Sequence, residues 1–334
     1  MSRLVKIIVV LALLWCGWWF AAATALERGV VRWLEDRRTE GWEAQAAAVD
    51  VTGFPLALQT DLTAVSLTDS ATGLHVDAPD LRVSMPAYWP GDMTLVLSGA
   101  PIDFGVGDTT YILRAQDTAA DLNLHPGTAL ELERLTAQSG PWQVNTRQGN
   151  LLSADDFTAN VTQDKDDHTV YEFALNAADF SPGGLLRAGL DLPDDWSLTF
   201  ETFTANITAR FDRPIDRMAL ESRRPQPRQI TVNDFDFSWG EFRIALVGDV
   251  QIDTEGTPDG DLMLSIKNWR QALELLKKTE IIRSEETGQA EFVIQAIASN
   301  SDNPADLDLA FSFREGRLFL GPINLGPAPK FILR

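Results

Sequence analysis

The chain has 334 residues, of which 45% are hydrophobic and 23% charged, a composition that supports a sizeable core and argues against disorder. Its formal net charge of −20 and isoelectric point of about 4.5 exclude nucleic acid as a natural partner, because neutralising phosphates needs a basic surface. The same charge disfavours a flat electrostatic association with anionic lipid headgroups.

The first 26 residues predict a transmembrane anchor. Arg3 and Lys6 precede an uncharged, mostly apolar run over residues 7–26, and twenty helical residues span about 30 Å, the thickness of a bilayer's hydrocarbon core. Basic residues on this side place the N-terminus in the cytoplasm and the bulk of the chain in the periplasm of a bacterial envelope. The alternative is a cleaved signal peptide, since the Ala-Thr-Ala triplet at residues 23–25 fits the small-x-small cleavage pattern. Under either interpretation, the rest of the chain is exported.

The apolar run also contains Cys16, the single cysteine of the chain. No disulfide can form within one chain, so the exported fold has to hold by burial and strand pairing, which favours a bacterial envelope over a disulfide-rich secretion route. Trp18 and Trp19 lie in the second half of the run, where an interfacial aromatic belt is expected. Residues 27–48 then predict a juxtamembrane helix, which either continues the membrane helix or caps the next domain.

From residue 49 to residue 334 apolar residues recur at every second position, the pattern of half-buried strands. The clearest example runs from Leu307 to Phe313, where every second residue is leucine or phenylalanine. Turns with glycine or proline separate these runs, so the strands are sequential neighbours. The predicted fold class is all-β, a mostly antiparallel meander forming an open curled β-groove or a sandwich, with an N-terminal transmembrane helix and one or two short helices. The candidate short helices are Gly183 to Leu190 and the segment that Asn268 could cap.

One apolar face per strand, repeated without a second helical layer, has to be covered. A closed sandwich covers it with protein, whereas an open groove leaves it to a ligand, and large exposed apolar patches usually mark binding sites. The lipid-facing candidates are Phe203, Ile207, Phe211, Phe242, Ile244, Leu262, Leu264, Leu309, Phe311 and Phe313. The candidate structural turns contain Gly53, Pro55, Gly256, Gly260, Gly321 and Gly326.

Three segments carry a family resemblance: "VDVTGFPLALQTDLTAVSL" from residue 49, "SWGEFRIALVGDVQIDTEGTPDGDLMLSIKNWRQALELL" from residue 238, and "GRLFLGPINLGPAP" from residue 316. In this order they look like the uncharacterised bacterial family catalogued as domain of unknown function 2125. The middle segment is also similar to AsmA-like and TamB-like envelope proteins. That resemblance implies an inner-membrane-anchored β-groove that shields lipid acyl chains crossing the periplasm. The chain is far shorter than the bridge-like members, so it cannot span the envelope alone.

No catalytic, metal or cofactor site is predicted. The histidines His75, His125 and His168 are scattered, and no nucleophile elbow, His-Glu-x-x-His or phosphate loop occurs. The acidic loops at residues 164–167 and 253–261 lack the closing glutamate of a calcium loop. We therefore expect that the chain is not an enzyme.

These features together predict a single-pass inner-membrane protein that binds or transfers lipid or another amphiphile in envelope biogenesis. Its predicted parts are an anchor at residues 1–26, a juxtamembrane helix at residues 27–48 and a periplasmic β-rich domain at residues 49–334. Other envelope proteins are further candidate partners. The alternative function is that of a closed β-domain acting as a non-catalytic envelope scaffold or assembly partner.

Overall fold

A computed structural model gives the fold and describes residues 2–189, 196–221, 224–271 and 305–333. The chain divides into two compact units. Unit 1 comprises residues 1–125 and 137–148, and unit 2 comprises residues 126–136 and 149–334. The region predicted as one β-rich domain thus consists of parts of both units.

Unit 1 begins with a 38-residue helix, α1 (Ser2–Thr39). The helix ends where Gly41 adopts a φ of +94°, a left-handed conformation that glycine tolerates best. Arg37 and Arg38 in the last turn favour this end, since cations stabilise the carbonyl end of a helix. Residues 42–45 lie in the predicted juxtamembrane helix but form a strand instead, because they pair with a strand further along the chain.

The strands of unit 1 form an antiparallel sheet with a fork. They are β1 (Trp42–Gln45), β2 (Ala48–Thr52), β3 (Ala57–Asp69), β4 (Leu74–Pro86), β5 (Asp92–Leu97), β6 (Ile102–Val106), β7 (Thr109–Ala115), β8 (Ala119–Leu124), β9 (Leu132–Ser139), which continues across the unit boundary, and β10 (Trp142–Thr146). Both β1 and β2 pair with β3, which pairs with β4. Residues 81–84 of β4 pair with β5, and residues 74–77 pair with β6.

The β3–β4 ribbon has an irregularity near its middle. Ala64 has a φ of +50°, and it is not paired with Pro79 opposite, while Thr63 pairs with Asp80 and Val65 with Ala78 in an unchanged register. The two ends of the ribbon contribute to two arms of the sheet, one through β5 and β8 and the other through β6, β7 and β10.

Unit 2 is a meander. Its elements are β11 (Gly149–Ala154), β12 (Phe157–Gln163), β13 (Val170–Asn176), β14 (Ser181–Pro182), α2 (Gly184–Gly189), β15 (Thr202–Phe211), α3 (Met218–Glu221), β16 (Pro227–Trp239), β17 (Phe242–Ile252), β18 (Pro258–Lys267), β19 (Leu307–Arg314), β20 (Arg317–Leu320) and β21 (Ile323–Pro327). The antiparallel order is β12-β13-β15-β16-β17-β18-β19-β20-β21. Within the described part of the chain β21 pairs with β20 alone, so the sheet is open and does not close. The predicted antiparallel meander is confirmed.

The short helices and turns agree with the sequence in part. The helix α2 falls within the predicted helix Gly183 to Leu190. The predicted helix after Asn268 lies, beyond Gln271, outside the described residues, and the Asn268 side chain donates a hydrogen bond to the carbonyl oxygen of Glu241 at 2.7 Å.

Four of the six turn candidates lie in turns or loops, namely Gly53, Pro55, Gly256 and Gly321. Gly260 and Gly326 lie inside β18 and β21, so their assignment to turns is wrong. Gly260 has a φ of +145°, and a Cβ there would stand 2.2 Å from the carbonyl oxygen of Asp249. Close approach of the neighbouring strand, and not a reversal of the chain, is what requires glycine at this position.

Candidate functional site

The sheet of unit 2 has one apolar face that runs from strand to strand. Side chains of directly paired residues project from the same face of an antiparallel sheet. One row of paired residues across β13, β15, β16, β17, β18 and β19 is Leu175, Ala205, Phe235, Leu246, Leu264 and Leu309. The next row across β12 to β20 is Val161, Phe173, Ile207, Val232, Gly248, Leu262, Phe311 and Leu320. Neither row contains a charged residue.

The ten lipid-facing candidates all lie on this face, because the pairing places every one of them in a row of this kind. Their burial differs, however. Phe242, Leu309 and Phe313 are only 4–6% exposed and are covered by other parts of the protein. These three are core residues, whereas Ile207 and Phe211 remain part-exposed and belong to none of the hydrophobic clusters described below.

One end of the face is covered by the segment around α2. Phe200 is buried against Trp239 and Phe242, and Phe180 and Leu186 pack on the same cluster. The Phe200 ring lies 4.8 Å from Phe180 and 4.9 Å from Trp239, both in edge-on arrangements that aromatic rings prefer. This end of the sheet is therefore closed by aromatic packing.

The opposite end of the face is covered by the C-terminal residues. Phe331 and Ala328 pack against the buried Val250, Ile252 and Phe313. The backbone holds this segment, since the amide of Phe331 donates to the carbonyl oxygen of Gly256 and the amide of Ala328 donates to that of Gly316, both at 2.8 Å. One side of the face, over β18 to β20, packs in a third cluster around Trp269.

Between these covered regions lies a group that we call the central patch: Phe173, Leu175, Ile207, Phe235 and Leu246. All five are part-exposed and lie outside the three clusters. They occupy β13, β15, β16 and β17, four adjacent strands that make the patch about 14 Å wide at 4.8 Å per strand. The patch is thus a contiguous apolar surface bordered by packed protein on three sides.

Two small residues lie on the same face as the central patch. Ala205 pairs with both Leu175 and Phe235, and Gly248 pairs with Val232. Gly248 has a φ of +154°, and an added Cβ would lie 2.3 Å from the carbonyl oxygen of Asp261 on β18. A side chain is therefore sterically excluded at Gly248, because β17 and β18 approach each other closely there.

The opposite face of the same strands is mostly polar and internally hydrogen-bonded, although the paired Val247 and Met263 are exposed there. Asp249 accepts hydrogen bonds from the Thr231 hydroxyl at 2.5 Å and from Gln229 Nε2 at 2.7 Å. These donors, the Thr231 hydroxyl first, hold the pKa of Asp249 below its usual value. Asn233 links β16 to β15 by donating to Asn206 Oδ1 at 2.8 Å. Such a face suits solvent, so the two faces of the sheet have opposite character.

The family model described as "Uncharacterized protein conserved in bacteria (DUF2125)" matches residues 19–329 of the chain. The chain belongs to this family. The match confirms the family that three sequence segments resemble, while the further likeness to AsmA-like and TamB-like proteins stays a prediction. No curated protein matches the chain significantly.

Three tryptophans attach α1 of this DUF2125 chain to the sheet of unit 1. Trp15 Nε1 donates to the carbonyl oxygen of Pro55 at 2.9 Å. Trp19 Nε1 donates to that of Ala57 at 2.8 Å, and Trp18 Nε1 donates to that of Ala87 at 3.3 Å. The second half of the apolar run is thus fixed to two loops of the β-structure.

Apolar packing reinforces this attachment. Trp19 and Ala23 are buried in a cluster with Leu58, Met85 and Ala87. By contrast, most large side chains between Leu4 and Leu14 are more than half exposed. Among the described residues α1 is the one helix long and apolar enough to cross a membrane, as a membrane span or as a signal sequence. The first half of α1 is therefore exposed, whereas its second half packs against the sheet of unit 1.

Chemistry-bearing side chains are spread over the DUF2125 chain. Among the described residues no three His, Cys, Asp or Glu side chains are grouped as metal ligands. The loop carboxylate Asp253 accepts from the backbone amides of Glu255 and Thr257 at 2.8 Å, and these amides, that of Thr257 first, keep its pKa low. His168 Nδ1 lies 2.9 Å from Glu131 Oε2. The acidic loop at residues 253–261 thus begins with an ordinary carboxylate-capped turn.

Two pockets lie along the β3–β4 ribbon of unit 1. One, of about 290 Å³, is lined in part by Asp61 and Arg82, whose side chains form a salt bridge at 2.6 Å. The other, of about 620 Å³, is lined in part by Ala64 and Pro79. Their linings mix apolar residues with carboxylates, unlike the charge-free central patch of unit 2.

Sequence reasoning missed four members of the central patch, namely Phe173, Leu175, Phe235 and Leu246. They show the same alternation as the chosen candidates, and pairing of their strands places them on the same face as Ile207. This alternation could have identified all of them. Alternation does not show, however, where the α2 segment and the C-terminal residues lie, and these segments decide which parts of the face are covered.

Proposed function

We propose that this DUF2125 chain is a membrane-anchored protein that binds an amphiphile, most simply a lipid, on the central patch of unit 2. The observation that carries the proposal is a contiguous, charge-free, part-exposed surface on a sheet whose other face is mostly polar. Apolar side chains that stay part-exposed between well-packed clusters support a ligand on this face, because apolar surface left in water is unfavourable.

The energetics suit an acyl chain. Each methylene removed from water contributes about 0.8 kcal/mol, so eight methylenes laid on the patch contribute about 6 kcal/mol. The small side chain of Ala205, paired with Leu175 and Phe235, leaves room for such a chain between larger side chains. No hydrogen-bonding group is needed on the face, which fits recognition of the hydrocarbon part of a lipid.

The anchor part of the proposal is supported by the docking of α1. Cleavage at the Ala-Thr-Ala triplet would remove Trp19 and Ala23 from a cluster that they share with Leu58 and Met85. Burial of this kind favours an uncleaved helix. We propose the bacterial inner membrane as its location, with the N-terminus in the cytoplasm and both β-units in the periplasm, because Arg3 and Lys6 precede the span.

The proposed binding involves no covalent step. Accordingly, replacing His75, His125 and His168 together by glutamine is expected to leave lipid binding unchanged. Loss of binding in a folded triple variant would contradict a purely non-catalytic role.

The proposal is tested by native mass spectrometry of the full chain released from detergent micelles. We expect wild-type protein to retain lipid, and Ile207→Asp to lose it, because a carboxylate in the patch would have to be desolvated under the acyl chain. Val247→Asp is the matched control, since Val247 lies on the opposite face and is 44% exposed. Absence of lipid from the wild type, or equal loss in both variants, would favour the alternative of a closed scaffold.

A further inference from the structure

Two loops of unit 1 form an uncharged surface beside the docked half of α1. We call residues 53–57 and 85–90 together the uncharged tip. No charged residue occurs between Asp50 and Asp61 or between Arg82 and Asp92. The tip carries several large exposed apolar side chains, and its loops hold the carbonyl groups that receive the tryptophan indoles.

Three large side chains of the tip are about half exposed or more. Leu56 is 70% exposed, Tyr88 71% and Phe54 49%. The Phe54 ring stacks on Phe20 of α1 at 5.9 Å, and Phe20 is itself 61% exposed. The apolar surface of the helix therefore continues without interruption onto the tip.

Five backbone carbonyl groups of the tip accept hydrogen bonds within the protein. The carbonyl oxygens of Pro55, Ala57 and Ala87 accept from tryptophan indoles. Those of Gly53 and Leu56 accept from backbone amides at 3.0 and 2.8 Å. Irregular backbone is tolerated at membrane depth only when such groups have partners.

The dimensions agree with one leaflet of a bilayer. Four strand residues separate the ends of β3 and β4 at the tip from Asp61 and Arg82, a depth of about 13 Å. Along α1, Leu26 follows Trp15 by eleven residues, a rise of about 17 Å. Half of a hydrocarbon core is about 15 Å thick.

We infer that the uncharged tip is inserted among the acyl chains of the leaflet on the side of unit 1, so that α1 crosses one leaflet alone and the other together with the tip. The inference rests on the anchor part of the proposed function and is independent of the central patch. The occupant of the surface is the lipid bilayer itself, since the surface is continuous with the membrane-spanning helix and lacks charge.

The experiment uses the full chain in nanodiscs of phosphatidylcholine and phosphatidylglycerol, with Cys16→Ala as background. Spin labels are placed on single cysteines at Leu56, Tyr88, Leu11 and Val106. Leu11 reports on the helix, and Val106 is a matched exposed apolar control, 56% exposed, at the far end of the β3–β4 ribbon. Power saturation then compares collisions with oxygen and with a polar nickel chelate.

The expected ratio of oxygen to nickel accessibility at Leu56 and Tyr88 resembles that at Leu11 and is about tenfold higher than at Val106, because hydrocarbon excludes the chelate. A high ratio at Leu11 together with low ratios at Leu56 and Tyr88 would overturn the insertion of the tip but not the membrane anchor. Protection of the tip from both agents would mean contact with protein and would also overturn it. A water-exposed Leu11 would overturn the anchor and the insertion together.

Discussion

Aspartate substitutions at Ile207 and Leu309 should have different effects on folding, although both residues project from the same face of unit 2. Leu309 is 6% exposed and packs with Trp269, Leu307 and Leu320. Replacing a buried leucine costs about 2–5 kcal/mol, and burying a carboxylate adds several more. That total is comparable with the 5–15 kcal/mol stability of a whole domain.

Ile207→Asp should cost much less, about 1–3 kcal/mol, because Ile207 is part-exposed and its carboxylate replacement keeps contact with solvent. Hydrogen exchange measured by mass spectrometry on the full chain reports unit 2 separately from α1. We expect fast exchange throughout β17 to β19 in Leu309→Asp and near wild-type protection in Ile207→Asp. Ile207→Val and Leu309→Val serve as conservative controls. Unfolding of Ile207→Asp would show instead that Ile207 belongs to a closed core.

Three further substitutions probe the framework of unit 2. Tyr171→Phe should cost about 1–3 kcal/mol in a denaturant titration, because the fully buried hydroxyl accepts two hydrogen bonds, both at 2.9 Å. Gly248→Ala should destabilise by more than about 1 kcal/mol, unlike Gly184→Ala, where an added Cβ meets nothing within 4 Å. Asp249→Asn should weaken folding by about 1 kcal/mol at neutral pH, since the Thr231 hydroxyl favours the ionised carboxylate. Because the folded-state pKa of Asp249 is lowered, this difference is complete above its ordinary value of 3.8 and disappears as the pH falls through the folded pKa; an unchanged difference at acid pH would contradict this origin.

The faces of the strands could be predicted from the sequence because strand periodicity is local. Alternation alone places Ile207 and Leu309 on apolar faces, and short turns make their strands sequential neighbours. Burial along the face is not local: Leu309 is covered by Trp269, and Phe313 by Phe331, through contacts that alternation does not encode. Which residues are core and which form the central patch therefore required the structure.

The docking of α1 could not be predicted from the sequence, because its contacts are also not local. The indole of Trp15 finds its acceptor forty positions away, and that of Trp18 sixty-nine positions away. The length and apolarity of the helix could be predicted from the sequence, whereas the loops that it contacts could not. Likewise, residues 42–45 form a strand only because β3 provides an edge, a tertiary effect that outweighs the local preference of an alanine-rich segment for helix.

Contact of an amphiphile with one face of unit 2 can be tested at adjacent positions on opposite faces of β17. A photo-crosslinking amino acid is placed at Leu246, in the central patch, or at Val247, which faces the other way and is 44% exposed. After irradiation of intact membranes, mass spectrometry identifies the adducts on the full chain. We expect lipid adducts at Leu246 and none at Val247; no lipid at Leu246, or equal labelling at the two positions, would contradict binding of an amphiphile to this face.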